Sequence, residues 1–243
     1  MPDAAEGVKR PVILVPTYNE RENLDLALEG IFAAQPEVEV CVIDDASPDG
    51  TGDLADRWAE RDPRVHVLHR AAKAGLGRAY LHGFRWALDH PHRFTHVVQM
   101  DADGSHDPRF LGDLLAACDR GADLALGSRW VAGGGVQHWG AHRKLISRGG
   151  SLYARTILGV PVRDLTGGFK CFTRRVLETL PLDRIRAVGY GFQIEVTYRV
   201  LQLGFDVVEV PIVFPDRVRG ASKMSAKIFA EGLVSVWRLR LAR

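Results

Sequence analysis

The 243-residue sequence contains no run of eighteen apolar residues, and its opening stretch, MPDAAEGVKR, carries no apolar leader core. Neither a membrane span nor secretion is therefore expected. Cysteine is scarce. Cys41, Cys118 and Cys171 form neither a metal-type spacing nor an even set, which excludes a disulfide framework and points to a reducing compartment. A dominant charge is lacking too: 32 Lys and Arg residues face 30 Asp and Glu, and the net charge of +2 excludes a general nucleic-acid signal. Anion binding must then come from local clustering. There is no internal repeat, no low-complexity tract and no linker long enough to demand a second domain. Neither a P-loop nor a G-x-G-x-x-G is present. The stretch from Lys73 to Arg78, KAGLGR, is a weak phosphate signal that an ordinary turn explains equally well.

What is present is a substantial core composition, 46% hydrophobic, distributed in alternating short apolar runs and amphipathic stretches. Strands are expected at 11–15, 38–43, 65–68, from Thr95, at 123–127, at 169–172 and at 207–214. Helices fill the spaces between, over 20–31, 53–61, 78–88, 108–120, from about 143 to 158, after Thr173, 189–203 and from Ala226 on. Strands alternating with helices at this spacing predict a parallel, doubly wound α/β sheet. Asn19 is positioned to cap the first helix, with Glu22 completing a capping box.

The stretch THVVQMDADGSHDP, from Thr95 to Pro108, organises the rest. A β-branched run reads as a buried strand, and Asp101 and Asp103 follow where it gives way to a loop. In an open parallel sheet, ligands bind at the carboxyl ends of the strands. A D-x-D pair there suits a divalent cation and the phosphates it carries. Four acceptor or imidazole side chains within seven residues (Asp101, Asp103, His106, Asp107) outweigh the reading of a merely solubilising turn. The second strand delivers Asp44 and Asp45 to the same edge. Because side chains alternate faces, one is expected to contact a ligand and the other to anchor the loop.

Beyond Gly127 the alternation stops. The segment from Ser128 to Lys144 is glycine-rich and aromatic, as mobile active-site segments are. Arg143 and Ser147 lie four apart on one helical face, able to meet one anion. Spacing favours Glu195 as an exposed helix residue over an active-site acid. Arg217, Arg219 and Lys223 sit in a basic loop able to close over phosphate. In the final stretch Phe229, Leu233, Val236 and Trp237 form an apolar stripe, suited either to the protein's own core or to a membrane interface.

Taken together, VPTYNERENL, VIDDASPDGT, MDADGSHDP, GSRW, DLTGGFKCF, GFQIE and VPIVFPDRVRGASKMS resemble the family 2 glycosyltransferases of the GT-A fold, and within them the polyprenol-phosphate (dolichol-phosphate) mannosyltransferases. The resemblance spans about residues 11 to 227 and departs at Gly104, where many relatives carry a larger apolar residue. It implies a GT-A domain over 11–225, between a flexible segment 1–10 and an amphipathic helix 226–243. It implies a GDP-mannose site in which Pro16, Tyr18, Glu20, Ile43 and Asp45 line the nucleoside, while Asp101, Ala102, Asp103 and Ser105 hold the diphosphate and a Mg²⁺ or Mn²⁺ ion. Arg129, Arg217 and Lys223 match basic contacts to donor phosphates or the transfer centre, and Arg143 and Ser147 match contacts to the acceptor phosphate.

The activity so implied is inverting transfer of mannose to a polyprenyl monophosphate. The dianionic acceptor needs no dedicated general base. Membrane contact would come through the terminal helix, a partner protein or the lipid itself, at the cytoplasmic face. Nothing in Tyr18 or Asp45 separates guanine from uracil, so a UDP-glucose-dependent glucosyltransferase stands as an alternative. A non-catalytic nucleotide-sugar-binding scaffold is another; the intact D-x-D argues against it.

Overall fold

The computed structural model describes residues 9–187, 189–215 and 226–241. Its centre is a seven-stranded sheet. In chain order, β1 (Pro11–Thr17), β2 (Glu39–Asp44), β3 (Val65–His69), β4 (His96–Gln99), β5 (Leu124–Ser128), β7 (Lys170–Thr173) and β8 (Val207–Pro211) arrange as β3-β2-β1-β4-β7-β5-β8. β7 alone runs antiparallel, between β4 and β5; the other neighbours pair in parallel. The expected sheet is thus present with one reversed strand. A small second sheet pairs β6 (Gly135–Val136) with β9 (Val213–Phe214), so the apolar run 207–214 divides between two sheets.

Strand side chains alternate faces, and two cores follow from that period. Ile13, Val15, Val40 and Val42 face α1 (Arg21–Ala34), α2 (Thr51–Arg61) and α4 (Leu111–Asp119), meeting Leu24, Leu28, Ile31, Ala55 and Leu114. Val12, Leu14, Cys41 and Ile43 face the opposite layer, α3 (Leu76–Asp89), α6 (Arg174–Thr179) and α7 (Tyr190–Gln202). Truncating a side chain such as Leu28 to alanine costs about 2–5 kcal/mol. Gly83 on α3 allows the second layer to close, because a Cβ there would stand 2.5 Å from the Ile43 side chain.

A third cluster joins α5 (Ala141–Leu158), α7 and α8 (Ala226–Leu241) through Leu126, Leu158, Tyr198 and Val236. The terminal helix therefore docks on the protein's own core through Val236. Trp237, its neighbour in the proposed stripe, is half exposed and turned away. The positions of Phe229 and Leu233 on that stripe lie outside the described side chains.

The first helix starts otherwise than its sequence suggests. Asn19 takes φ +58° and donates its amide to Ser47 Oγ, so Glu20 becomes the cap residue, with no side-chain cap bond. Asp49 and Thr51 from the following loop engage the amides of Arg21 and Glu20 instead. Partners from 28 and 31 residues away do the work of a local box.

Candidate active site

β1, β2, β4 and β5 all point the same way, and β7 begins where they end. Tyr18, Asp44 and Asp45, Asp101 and Asp103, Arg129 and the turn before Lys170 therefore gather on one edge. Strand order reverses between β1 and β4, which opens a crevice beyond their ends, and Asp101 emerges from β4 into it.

The acidic loop is held by named contacts. Tyr80, fully buried on α3, donates its hydroxyl to Asp101 Oδ1 at 3.0 Å. The Asp101 amide donates to His106 Nδ1 at 2.9 Å, and the Ser105 amide donates to Asp103 Oδ1 at 3.1 Å. Burial, and then the charges of Asp101 and Asp103, push the Tyr80 phenol well above its ordinary pKa, so it stays a donor. His106 stacks on Phe169, and Asp107 accepts the Arg109 amide at the start of the turn Pro108–Phe110. Both residues structure the loop. Gly104 takes φ +76°, a conformation open to glycine and costly for a residue with a side chain.

Asp44 and Asp45 have different partners. Asp44 anchors the loop, accepting from Thr17 Oγ1, the Ser47 amide and Ser47 Oγ. Asp45, also buried, accepts from Arg70 and from the Ala74 amide. Lys73 of the KAGLGR stretch lies 3.7 Å over the Tyr18 ring, and Pro16, Tyr18 and Glu20 are half-buried beside it. Ile43 and Ala102 are buried among core side chains, so each offers the crevice its main chain only.

Arg129 is a buried cation at this edge. Its Nε and Nη2 form a two-pronged pair with Asp164 at 2.7 Å each, Nη2 also reaches Thr166 Oγ1 at 2.9 Å, and its amide donates to Asp164. Trp130, Trp139 and Phe214 surround the guanidinium. Arg143 stacks 3.9 Å over Trp139, with Ser147 half-buried one turn on along α5. Beside them a cleft of about 330 Å³ is lined by Arg129, Trp130, Lys144 and Arg148, and a second of about 240 Å³ by Trp130, Arg148, Arg155 and Arg163. Arg217 and Lys223 lie outside the described residues.

The model for glycosyl transferase family 2 matches residues 12–180. The chain belongs to that family. It is 48% identical to the polyprenol monophosphomannose synthase of Mycolicibacterium smegmatis, over 98% of this chain and 91% of the relative. It is 50% identical to the undecaprenyl-phosphate mannosyltransferase of Micrococcus luteus, over 96% and 95% respectively. Among solved structures, glucosyl-3-phosphoglycerate synthase from Mycobacterium tuberculosis superposes with a TM-score of 0.66 at 20% identity, covering 96% of this chain and 79% of that one. A mannosyltransferase from Pyrobaculum calidifontis, in complex with GDP-mannose and Mn²⁺, gives 0.59 at 19% identity, covering 98% and 71%. These likenesses establish the GT-A fold of this glycosyltransferase.

Several residues of the transferase's site have no local signature. Arg70 and Tyr80 reach their aspartates across 25 and 21 residues. Lys144 and Arg148 stand four apart on α5, one position after Arg143 and Ser147, so the same spacing argument that selected one pair would have found the other. Glu195 is buried and not exposed. It accepts from the Arg186 and Ala187 amides and pairs with Arg199, securing the turn before α7 and acting as no surface acid. Lys170, at the foot of the site, is fully buried with its Nζ 2.8 Å from both Gln193 O and Oε1.

Proposed function

We propose that this glycosyltransferase moves mannose from GDP-mannose to a polyprenyl monophosphate, with inversion at C1, giving a β-mannosyl phospholipid. The observation that carries the reading is a charge division on one sheet edge. An acid pair stands at the strand-order reversal, and a basic cleft along α5 stands beside it. A donor that brings its own cation and an acceptor that brings only negative charge need such a division. The names of two relatives near 50% identity, matched over almost their whole lengths, supply the sugar and the lipid class.

Asp101 and Asp103 offer hard oxygen donors at a fixed spacing, each pinned by a neighbouring hydrogen bond. That set fits Mg²⁺ or Mn²⁺. With Ser105 at the floor of the loop they would hold the ion, which supplies charge neutralisation for the departing nucleoside diphosphate. Pro16, Tyr18, Glu20, the Ile43 main chain and Asp45 take the nucleoside in this reading. Arg143, Ser147, Lys144 and Arg148 bring up the acceptor phosphate, whose second ionisation near pH 6 makes it nucleophilic without a protein base. Arg129 organises the wall between the two through Asp164, and Arg217 and Lys223 complete the donor contacts.

Peripheral attachment to the cytoplasmic membrane face fits the outer surface. No helix of the described residues is long and apolar enough to cross a membrane. α5 and α8 expose Leu145, Leu152, Trp237 and Leu241 beside Lys144, Arg148 and Arg238. Apolar residues flanked by cations are the composition of an interfacial face.

The test is incubation with Mg²⁺, a polyprenyl phosphate and either GDP-mannose or UDP-glucose, following sugar into the lipid phase. Mannose enters the lipid from GDP-mannose. Glucose transfer, an α-linked product or a trapped mannosyl-enzyme would each overturn the corresponding part of the proposal.

A further inference from the structure

At the opposite edge of the sheet, three imidazoles converge. His66 lies on β3, and His90 and His92 lie in the connection from α3 to β4, within the sequence DHPHRF. One donor nitrogen from each ring lies within 4.8 Å of the other two. The ring centroids stand 5.0 Å apart for His66 and His90, 4.5 Å for His90 and His92, and 6.1 Å for His66 and His92. We propose that His66, His90 and His92 form a binding site for Zn²⁺ or a similar borderline transition-metal ion, with Glu39 as the carboxylate that orients two of the ligands.

Glu39, the first residue of β2, contacts His66 Nε2 at 2.6 Å and His92 Nδ1 at 2.9 Å. A carboxylate accepts, so these two nitrogens carry the protons. The lone pairs are left on His66 Nδ1 and His92 Nε2, while His90 Nδ1 accepts the His92 amide at 3.3 Å, a long contact that this ring must give up to ligate an ion. A carboxylate behind a histidine is the arrangement that fixes tautomer and raises ligand basicity at metal sites. A packed aromatic cluster would need no such carboxylate. Nor does protonation of the rings account for the grouping, since one carboxylate would face three like charges about 5 Å apart.

Tetrahedral zinc, with Zn–N bonds of about 2.0–2.1 Å, sets its nitrogens about 3.3 Å apart. The rings must close by somewhat over an ångström. His92 is nearly half exposed, and its own short connection leaves it room to turn. Trp86 and Phe94 pack against His66 and His90 and hold the back of the site dry.

The place matters. Glu39, His66 and the His90 to His92 connection stand at the amino ends of β2, β3 and β4, whereas Asp45 and Asp101 follow carboxyl ends. At about 3.3 Å per residue along β2 the two regions are roughly 20 Å apart. Chemistry separates them too: the aspartates present hard oxygens that suit Mg²⁺ or Mn²⁺, the histidines nitrogens that suit zinc. A metal here would clip two strands to the connection leading into the strand that carries the D-x-D.

The experiment is calorimetric titration of the untagged full-length chain with Zn²⁺ in excess Mg²⁺, with thermal melts alongside. One Zn²⁺ per chain is expected, with a higher melting temperature. Binding is lost in His92→Ala and His90→Ala, weakened about 10–100-fold in Glu39→Gln, and unchanged in Asp103→Ala. Histidine-ring NMR on the wild-type chain needs no variant: Zn²⁺ shifts the His66, His90 and His92 resonances. Absence of Zn²⁺ binding, equal binding in the histidine variants, or shifts confined to other histidines would overturn the site. Because Asp103→Ala retains Zn²⁺ here, failure of this site is distinguishable from failure of the donor site.

Discussion

The hydroxyl of Tyr80, on a helix behind the sheet, donates to Asp101 at 3.0 Å, and the same ring lies parallel to Phe192, 6.1 Å between centroids. A buried phenol thus sets the position of the first acid of the D-x-D. Tyr80→Phe keeps the stacking and removes the donor. The midpoint of the Mg²⁺ or Mn²⁺ dependence of transfer should rise several-fold, with about 1 kcal/mol of stability lost. A metal titration of initial rates checks this, and an unchanged midpoint would mean that Asp101 positions itself.

Asp103 and Asp44 should fail differently. Asp103 is half-buried in the loop after β4 and accepts the Ser105 amide, whereas Asp44 is bonded to Thr17 and Ser47 inside the protein. Asp103→Ala should abolish transfer at every metal concentration with little change in melting temperature. Asp44→Ala should lower the melting temperature, by leaving buried donors unpaired at about 1–3 kcal/mol. Paired melts and assays distinguish the two, and normal transfer by Asp103→Ala would refute the metal assignment.

Arg129 and Asp164 form a buried pair, 7% and 0% exposed, so removing one partner strands a charge. Asp164→Ala should cost about 3–5 kcal/mol. Denaturant unfolding measures it, and a loss below about 1 kcal/mol would show that Arg129 finds another partner or solvent.

Arg143 and Arg148 of α5 should both serve the acceptor. Arg148→Ala, at the cleft, should raise KM for polyprenyl phosphate about ten-fold, the scale of one charge-assisted hydrogen bond, and leave KM for the sugar nucleotide unchanged. Arg143→Ala should act in the same direction. A change confined to the donor KM would move both residues to the donor side.

Lys170 predicts a pH dependence. Burial lowers its pKa from 10.5 to about 7, with Asp164 opposing the shift. Between those values the unfolded chain binds a proton that the folded chain does not, so this group makes stability rise with pH across the window. Its full penalty applies below about pH 7. Lys170→Met should flatten that slope in melts taken at the two ends of the window. An unaltered slope would show that the Gln193 oxygens keep the ammonium charged throughout.

The amino-acid sequence by itself determined the order of strands and helices, the gathering of Asp45, Asp101 and Asp103 at strand ends, and the placement of Arg143 and Ser147 four apart on one helix. Each rests on periodicity or spacing within a few residues, which the backbone converts directly into a face or an edge. Family motifs carried it as far as the fold and the transferase chemistry. Only the tertiary structure decided that β7 runs backwards, that Asp44 anchors while Asp45 meets Arg70, and that Glu195 is buried under two amides. It alone joined Arg129 to Asp164 across 35 residues, and gathered His66, His90 and His92 around Glu39. A buried charge takes whichever partner packing brings within hydrogen-bond reach, and sequence spacing holds no record of contacts made between separate elements.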